Sequence, residues 1–327
     1  MRTIEDIRKP IQNAYHDYEK ALEEAMQSDN PLLQEVLRYV YSKQGKQMRP
    51  LLVLLAAQLC HGVTEKSIKT AVALETLHNA SLIHDDVVDN SPIRHGAEAV
   101  HKHWSNKVAV LVGDFMLAKV IACITDIRNT PILNIVARLG KSLSSGELVQ
   151  LHHNRSMWIS EEEYFHIIDQ KTAQLFASCT EAGAESSGGS QRQVSALREF
   201  GHQLGICFQL KDDVLDYSDA EELGKPTMND LQDGKATLPI LVSLQRAPKE
   251  EADYIRQLAE SLHNRDNRID AEQEIKSFVL RYEGVRYTYA QMQTHKKSAI
   301  EALSIFHDNP TKQSLLDLLE YTINRIH

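Results

Sequence analysis

Apolar residues recur at three- and four-residue intervals almost throughout this chain of 327 residues, and strand-like alternation is scarce. That period gathers apolar side chains on one face of a helix, so the chain reads as all-α before any other feature is weighed. Its nine prolines are few, and Pro10, Pro31, Pro50, Pro92, Pro131, Pro226, Pro248 and Pro310 fall where helices should begin or break. The spacing predicts helices near 4–27, 31–44, 50–61, 65–90, 105–127, 132–153 and 160–185. Further helices are predicted near 190–219, 236–246, 249–263, 269–283, 286–307 and 311–326. The stretch 65–90, with Val72, Leu74, Leu77, Leu82 and Ile83, should be central, and 190–219 is its counterpart.

Length alone would suggest two domains, yet no Gly/Ser/Pro-rich linker divides the chain. The SSGG at 186–189 is short enough to join two helices, so 1–327 reads as one large helical domain with a central cavity. A net charge of −9, from 36 basic and 45 acidic residues, argues against a general nucleic-acid binder. Cys60, Cys123, Cys179 and Cys207 show no CxxC spacing and read as free thiols in a reducing cytoplasm. The start, MRTIEDIRKP, lacks the apolar stretch of a signal peptide. The longest strongly apolar run is read as LLVLLAAQL at 51–59, well short of the roughly 18–20 residues that span a bilayer. A soluble, cytoplasmic protein is expected, with peripheral membrane contact left open.

Two copies of one acidic motif, DDVVD at 85–89 and DDVLD at 212–216, lie in apolar, helix-like surroundings. Each sets three carboxylates at i, i+1 and i+4, two of them stacked on one helix face. Like charges at that spacing repel by about 0.2–0.5 kcal/mol per exposed pair, and by more where water is scarce. Cations should therefore neutralise Asp85, Asp86, Asp89, Asp212, Asp213 and Asp216. Carboxylate oxygens suit Mg²⁺, which completes its shell with water or substrate phosphate, so two clusters suggest several ions bridging a diphosphate. Basic residues stand nearby: Lys46 and Arg49 in GKQMRP, Arg94 after the first motif, Lys171 in DQKTAQ, and Lys225 and Lys235 after the second. Singly, each reads as a solvated charge; their places at helix ends and beside the acidic motifs give them weight.

With these ordered motifs, the chain resembles the trans-isoprenyl diphosphate synthases of the polyprenyl synthetase family, most of all their long-chain bacterial members. GKQMRP, LHNASLIHDDVVDNSPIRHG, GDF at 113–115, GEL at 146–148, QKTA at 170–173, and FQLKDDVLDY with GKPTMNDLQDGKATLP carry the likeness across nearly the whole chain. The resemblance implies an isoprenoid-synthase bundle with the two acidic motifs facing each other across one end of a cavity. It implies that the six aspartates hold Mg²⁺, three ions with substrate bound, against the allylic diphosphate. Arg94, Lys171, Thr172, Gln209, Lys225 and Lys235 match positions that grip that diphosphate, with Lys171 also counted as catalytic. Lys46, Arg49, His78 and, in place of an arginine, His95 match the isopentenyl diphosphate site. The implied reaction ionises the allylic C–O bond, the isopentenyl double bond attacks, and a proton is lost to the departing diphosphate. A homodimer is implied as well.

Product length is expected to follow the helix before the first motif. Ala80 and Ser81, five and four residues before Asp85, are small, and the next turn offers Leu77. An open tunnel there predicts a product longer than C20, of the kind found on quinones. Close helix packing is the plainer account of the same small residues.

Three positions depart from the family pattern. His95 follows Arg94 where a second arginine is usual, which predicts a weaker or pH-sensitive isopentenyl site. Met228 stands where glycine is common, and Asn90 where an acid is common, with little effect expected of the latter. Among other readings, Glu75-x-x-His78 and Glu260-x-x-His263 could suggest a di-iron site, but no partner glutamates are evident. A terpene cyclase would share the first motif and not the second. A non-catalytic subunit would tend to lose aspartates, and a short-chain synthase is the remaining alternative. His84, His152 and His153 read as structural or solvated.

Overall fold

The structure, a computed structural model, describes the chain apart from residues 1, 43–44, 46, 154–156, 219–226, 263–267 and 326–327, and apart from the side chains of 150–153 and 268. In chain order it forms α1 (Ile4–Arg8), a 3₁₀ turn (Lys9–Ile11), α2 (Gln12–Ala25), α3 (Pro31–Ser42), α4 (Met48–Cys60) and α5 (Glu65–Val88). A hairpin of β1 (Ile93–Arg94) and β2 (Ala97–Glu98) leads to α6 (Val100–His103), α7 (Asn106–Ile127), α8 (Thr130–His153) and α9 (Glu161–Ile168). A π turn (Asp169–Ala173) precedes α10 (Gln174–Ser186), α11 (Gln191–Leu215), α12 (Asn229–Gln232) and α13 (Leu238–Arg246). Then come α14 (Lys249–Glu260), α15 (Arg268–Arg281), α16 (Gly284–Ala302), a 3₁₀ turn (Leu303–Ile305) and α17 (Pro310–Asn324). The fold is all-α, as the periodicity predicts.

The chain divides into two compact units. Unit one comprises Met1–Lys141, Phe176–Gly201 and Ala302–Leu318. Its core is built on α4, where Leu51 to Ala57 are buried without interruption, and on α5, buried from Thr70 to Leu77. Each fully buried leucine contributes about 1.5–3 kcal/mol. A capping box starts α5: Thr64 Oγ1 accepts from the Ser67 N–H at 3.2 Å, and Ser67 Oγ accepts from the Thr64 N–H at 3.1 Å. Gly113 lets α7 press against α5, since a Cβ there would lie 2.1 Å from His84 Nε2. His84 is thus a helix-packing residue, with Nε2 also 3.2 Å from Val110 O.

Unit two comprises Ser142–Leu175, His202–Glu301 and Leu319–His327. Gly284 brings α16 onto α13, because a Cβ there would meet Pro239 O at 2.0 Å. Ser160 and Glu163 form the capping box that starts α9.

The structure corrects the sequence reading in several places. The helix expected over 4–27 breaks at Pro10, whose ring prevents continuous α-helical bonding. The one expected over 160–185 is interrupted by the π turn at 169–173. The hairpin and α12 were not anticipated. Nor is 51–59 the most membrane-like segment: α7 is long and apolar enough to cross a bilayer, with a mean hydropathy of 2.1 over 18 residues, a third of them buried.

Candidate active site

Both acidic motifs occupy the last turn of a helix. DDVVD closes α5, where Asp89 caps the helix and donates its N–H to Asp85 O at 2.8 Å; DDVLD closes α11. A helix C-terminus carries the negative pole of the macrodipole, which disfavours a carboxylate by about 0.3–1 kcal/mol. Neither last turn contains a basic residue. Oxygen-rich, negative helix ends of this kind suit a hard cation. Among the described residues no three His, Cys, Asp or Glu side chains converge closely enough to hold an ion unaided. Mg²⁺ does not require that, since one or two carboxylates suffice when water and phosphate fill its remaining positions.

In unit one, Asp86 is buried, Asp85 half-buried and Asp89 exposed. Arg94, at the end of β1, donates to Asp86 Oδ1 from Nε at 2.9 Å and from Nη2. The turn that brings it back is His95–Gly96, at φ 50° and 75°. A type I′ hairpin turn needs both central residues left-handed, and histidine tolerates that region better than most side chains. The His95 ring reaches over Gly45, where a Cβ would lie 3.8 Å from Nε2. His78 is pushed well below its ordinary 6.5 by burial, then by the charges of Arg49, His95 and Arg94, so its imidazole is neutral at pH 7. Burial also lowers Arg49, and Glu75 opposes that shift. Unit one thus gathers Arg49, His78, Arg94 and His95; Lys46 lies outside the described residues. Asn90, just past α5, is left-handed at φ 53° and accepts from Lys102 Nζ at 2.6 Å, a role asparagine fills readily. On α5, Ala80 is fully buried, Leu77 nearly so, and Ser81 Oγ donates to His78 O at 2.9 Å.

In unit two, Lys171, Thr172, Gln209 and Lys235 line one cavity of about 230 Å³ together with Asp213. Lys225 lies outside the described residues. A chain of hydrogen bonds runs along this cavity. Thr172 Oγ1 donates to Gln209 Oε1 at 2.8 Å, Gln209 Nε2 to Asp213 Oδ1 at 3.0 Å, and the Tyr164 hydroxyl to Asp213 Oδ2. Burial pushes the Asp213 carboxyl up to about 7 against the pull of those donors, and Asp212 and Asp216 add to the rise. Asp212 Oδ1 accepts from Arg325 Nη2 at 2.7 Å; that guanidinium also bonds Phe208 O and covers the Phe208 ring at 4.0 Å. Asp216 accepts the N–H groups that start α12, from Asn229 at 3.0 Å and Asp230 at 3.2 Å. Met228, which donates its N–H to Asp216 O, is buried at φ 62°, a conformation costing an L-residue about 1–2 kcal/mol.

Three participants escaped the sequence reading as individual residues: Tyr164, Asp230 and Arg325. Tyr164 lies seven residues before Lys171, a spacing that could have signalled a shared face. Asp230 lies within a motif already noted; burial, then Asp216 and Asp213, raise it well above its ordinary 3.8. Arg325 stands 113 residues from Asp212, and no local signal connects them.

The sequence pattern of the polyprenyl synthetase family matches residues 30–277. The chain belongs to the polyprenyl synthetase family. It is a prenyltransferase of that family by sequence and by all-α fold. The octaprenyl diphosphate synthase of Haemophilus influenzae is 32% identical over 99% of this chain and 98% of its own length. A short chain isoprenyl diphosphate synthase of Methanothermobacter thermautotrophicus is 33% identical over 86% of this chain and 87% of its own. Among solved structures, a polyprenyl synthase from Caulobacter crescentus, complexed with calcium and isoprenyl diphosphate, superposes with a TM-score of 0.91 at 31% identity, covering 99% of this chain and 98% of that one.

Proposed function

We propose that this prenyltransferase condenses isopentenyl diphosphate with farnesyl or geranylgeranyl diphosphate in successive 1′–4 additions. The product is an all-trans chain longer than C20, a quinone side-chain precursor. The observation that carries the reading is the pair of aspartate motifs at negative helix ends, the second beside a cavity lined by Lys171, Thr172, Gln209 and Lys235. Asp85 with Asp89, and Asp212 with Asp216, would hold Mg²⁺. Asp86 and Asp213, buried and bonded to protein donors, anchor those sets. Bound Mg²⁺ would supply positive charge to the departing diphosphate, favouring cleavage of the allylic C–O bond.

Lys171, Thr172, Gln209 and Lys235 orient the allylic diphosphate, with Lys225 assigned to it by sequence motif alone. Lys46, Arg49, His78 and His95 hold isopentenyl diphosphate, with neutral His78 offering an N–H rather than a charge. Chain length is assigned to Ala80, Ser81 and Leu77 on α5, small or flexible side chains one to two turns before Asp85. A long product is supported by the octaprenyl relative, whereas the short-chain relative makes sizing the product the decisive test. Purified protein given farnesyl diphosphate, isopentenyl diphosphate and Mg²⁺ makes product longer than C20, and none with chelator. A product ending at C15 or C20 would refute the chain length, and full turnover with chelator would refute the metal.

The protein also pairs with a second copy. In support, α7 exposes Val110, Leu111 and Ile121, the last two at 67% and 68%. Sedimentation that gives a monomer at micromolar concentration would reject this.

A further inference from the structure

Unit two contains an ion pair that the proposed reaction does not itself call for. Glu147, on α8, sets Oε1 2.5 Å from Lys171 Nζ. The surroundings are built for this contact. Gly146 lets α8 approach so closely that a Cβ there would lie 3.1 Å from Gln170 Cβ and 3.2 Å from Lys171 Cγ. Ser142 Oγ, one turn earlier, donates to Gln170 Oε1 at 2.5 Å. The pair is also shielded, with side chains only 28% and 21% exposed, so its charges are screened less than those of a surface pair. Lys171 meanwhile lines the cavity with Thr172, Gln209 and Lys235. A carboxylate placed there fixes the ammonium and, by its own charge, opposes any diphosphate the ammonium attracts.

We infer that Glu147 is a positioning residue that holds Lys171 at the head-group cavity and limits how tightly this cavity retains a diphosphate. A reaction that lengthens one chain repeatedly must clear inorganic diphosphate from the head-group site in every round. Maximal affinity there would slow the cycle, and a carboxylate against the lysine moderates it. This inference rests on the reading of Lys171 as a ligand of the allylic diphosphate.

The test is calorimetric binding of inorganic pyrophosphate in the presence of Mg²⁺, with steady-state kinetics alongside. Glu147→Gln keeps the size and an acceptor oxygen but removes the charge. It should bind pyrophosphate about 3–10-fold more tightly than wild type. KM for the allylic substrate should fall by a similar factor, and kcat should fall with it because release is slower. Glu147→Asp, which restores the charge, should return both towards wild type. Lys171→Gln separates the two ideas. If it leaves pyrophosphate affinity unchanged, the reading of Lys171 fails and the inference falls with it. If it weakens binding while Glu147→Gln binds no more tightly than wild type, the inference alone is overturned.

Discussion

The two acidic motifs share a pattern, a helix end and an apolar setting, yet they solve the burial of their middle carboxylate in different ways. Asp86 meets a cation, the guanidinium of Arg94. Asp213 meets neutral donors, the Tyr164 hydroxyl and the Gln209 amide, and its carboxyl rises to about 7. A buried charge is tolerable when paired; without a cation, a buried acid tends to hold its proton instead. The outer carboxylates of the second motif have partners of their own: Asp212 is matched by Arg325 and Asp216 by the N–H groups of α12. A repeated motif therefore need not imply repeated electrostatics.

Removing one outer carboxylate from each motif should have the largest effect. Asp85→Ala and Asp212→Ala should each lower kcat by about 10³-fold or more, because the lost charge serves mainly the transition state. Retention of a tenth of wild-type turnover by either variant would contradict the assignment. The middle positions should then separate the motifs through stability. Asp86→Asn strips the partner from Arg94 and should destabilise the protein by about 1–3 kcal/mol, read from denaturant midpoints.

Asp213→Asn should act in the opposite direction in metal-free protein. The unfolded chain gives up this proton near 3.8, while the folded carboxyl keeps it to about 7. The group thus subtracts stability progressively across that window, and in full above it. The variant should gain about 1–3 kcal/mol at pH 8 and nothing at pH 3.5, measured with chelator present. A smaller effect concerns His95. With an ordinary pKa of about 6.5 raised by a bound diphosphate, its charge should fade as pH rises. KM for isopentenyl diphosphate should rise a few-fold between pH 7 and 9, and His95→Arg should flatten that profile.

Much of this was legible in the sequence, because helices and metal motifs are local patterns. The periodicity placed the long helices to within a few residues, and the motif order identified Lys171, Thr172, Gln209 and Lys235, which share a cavity. Tertiary features were not legible. The π turn is held by bonds to Asp169 from Gln174 and His202 and by Ser142 on Gln170, partners no sequence window unites. The hairpin was missed because His–Gly is outside the usual Asn–Gly signal for a type I′ turn. Met228 was noticed as a departure from glycine, and its left-handed backbone gives the physical reason glycine is common there. The apolar reach of α7 was overlooked because Lys119 and Asp114 interrupt the run that a contiguous reading looks for.

We propose that the outer aspartates bind metal while the buried middle ones anchor them. This is tested most directly by Mn²⁺ affinity in the presence of inorganic pyrophosphate, measured by electron paramagnetic resonance on wild type, Asp212→Asn and Asp213→Asn. A loss of about tenfold or more is expected for Asp212→Asn, and a change within about threefold for Asp213→Asn. Equal losses in the two variants, or a greater loss for Asp213→Asn, would contradict it.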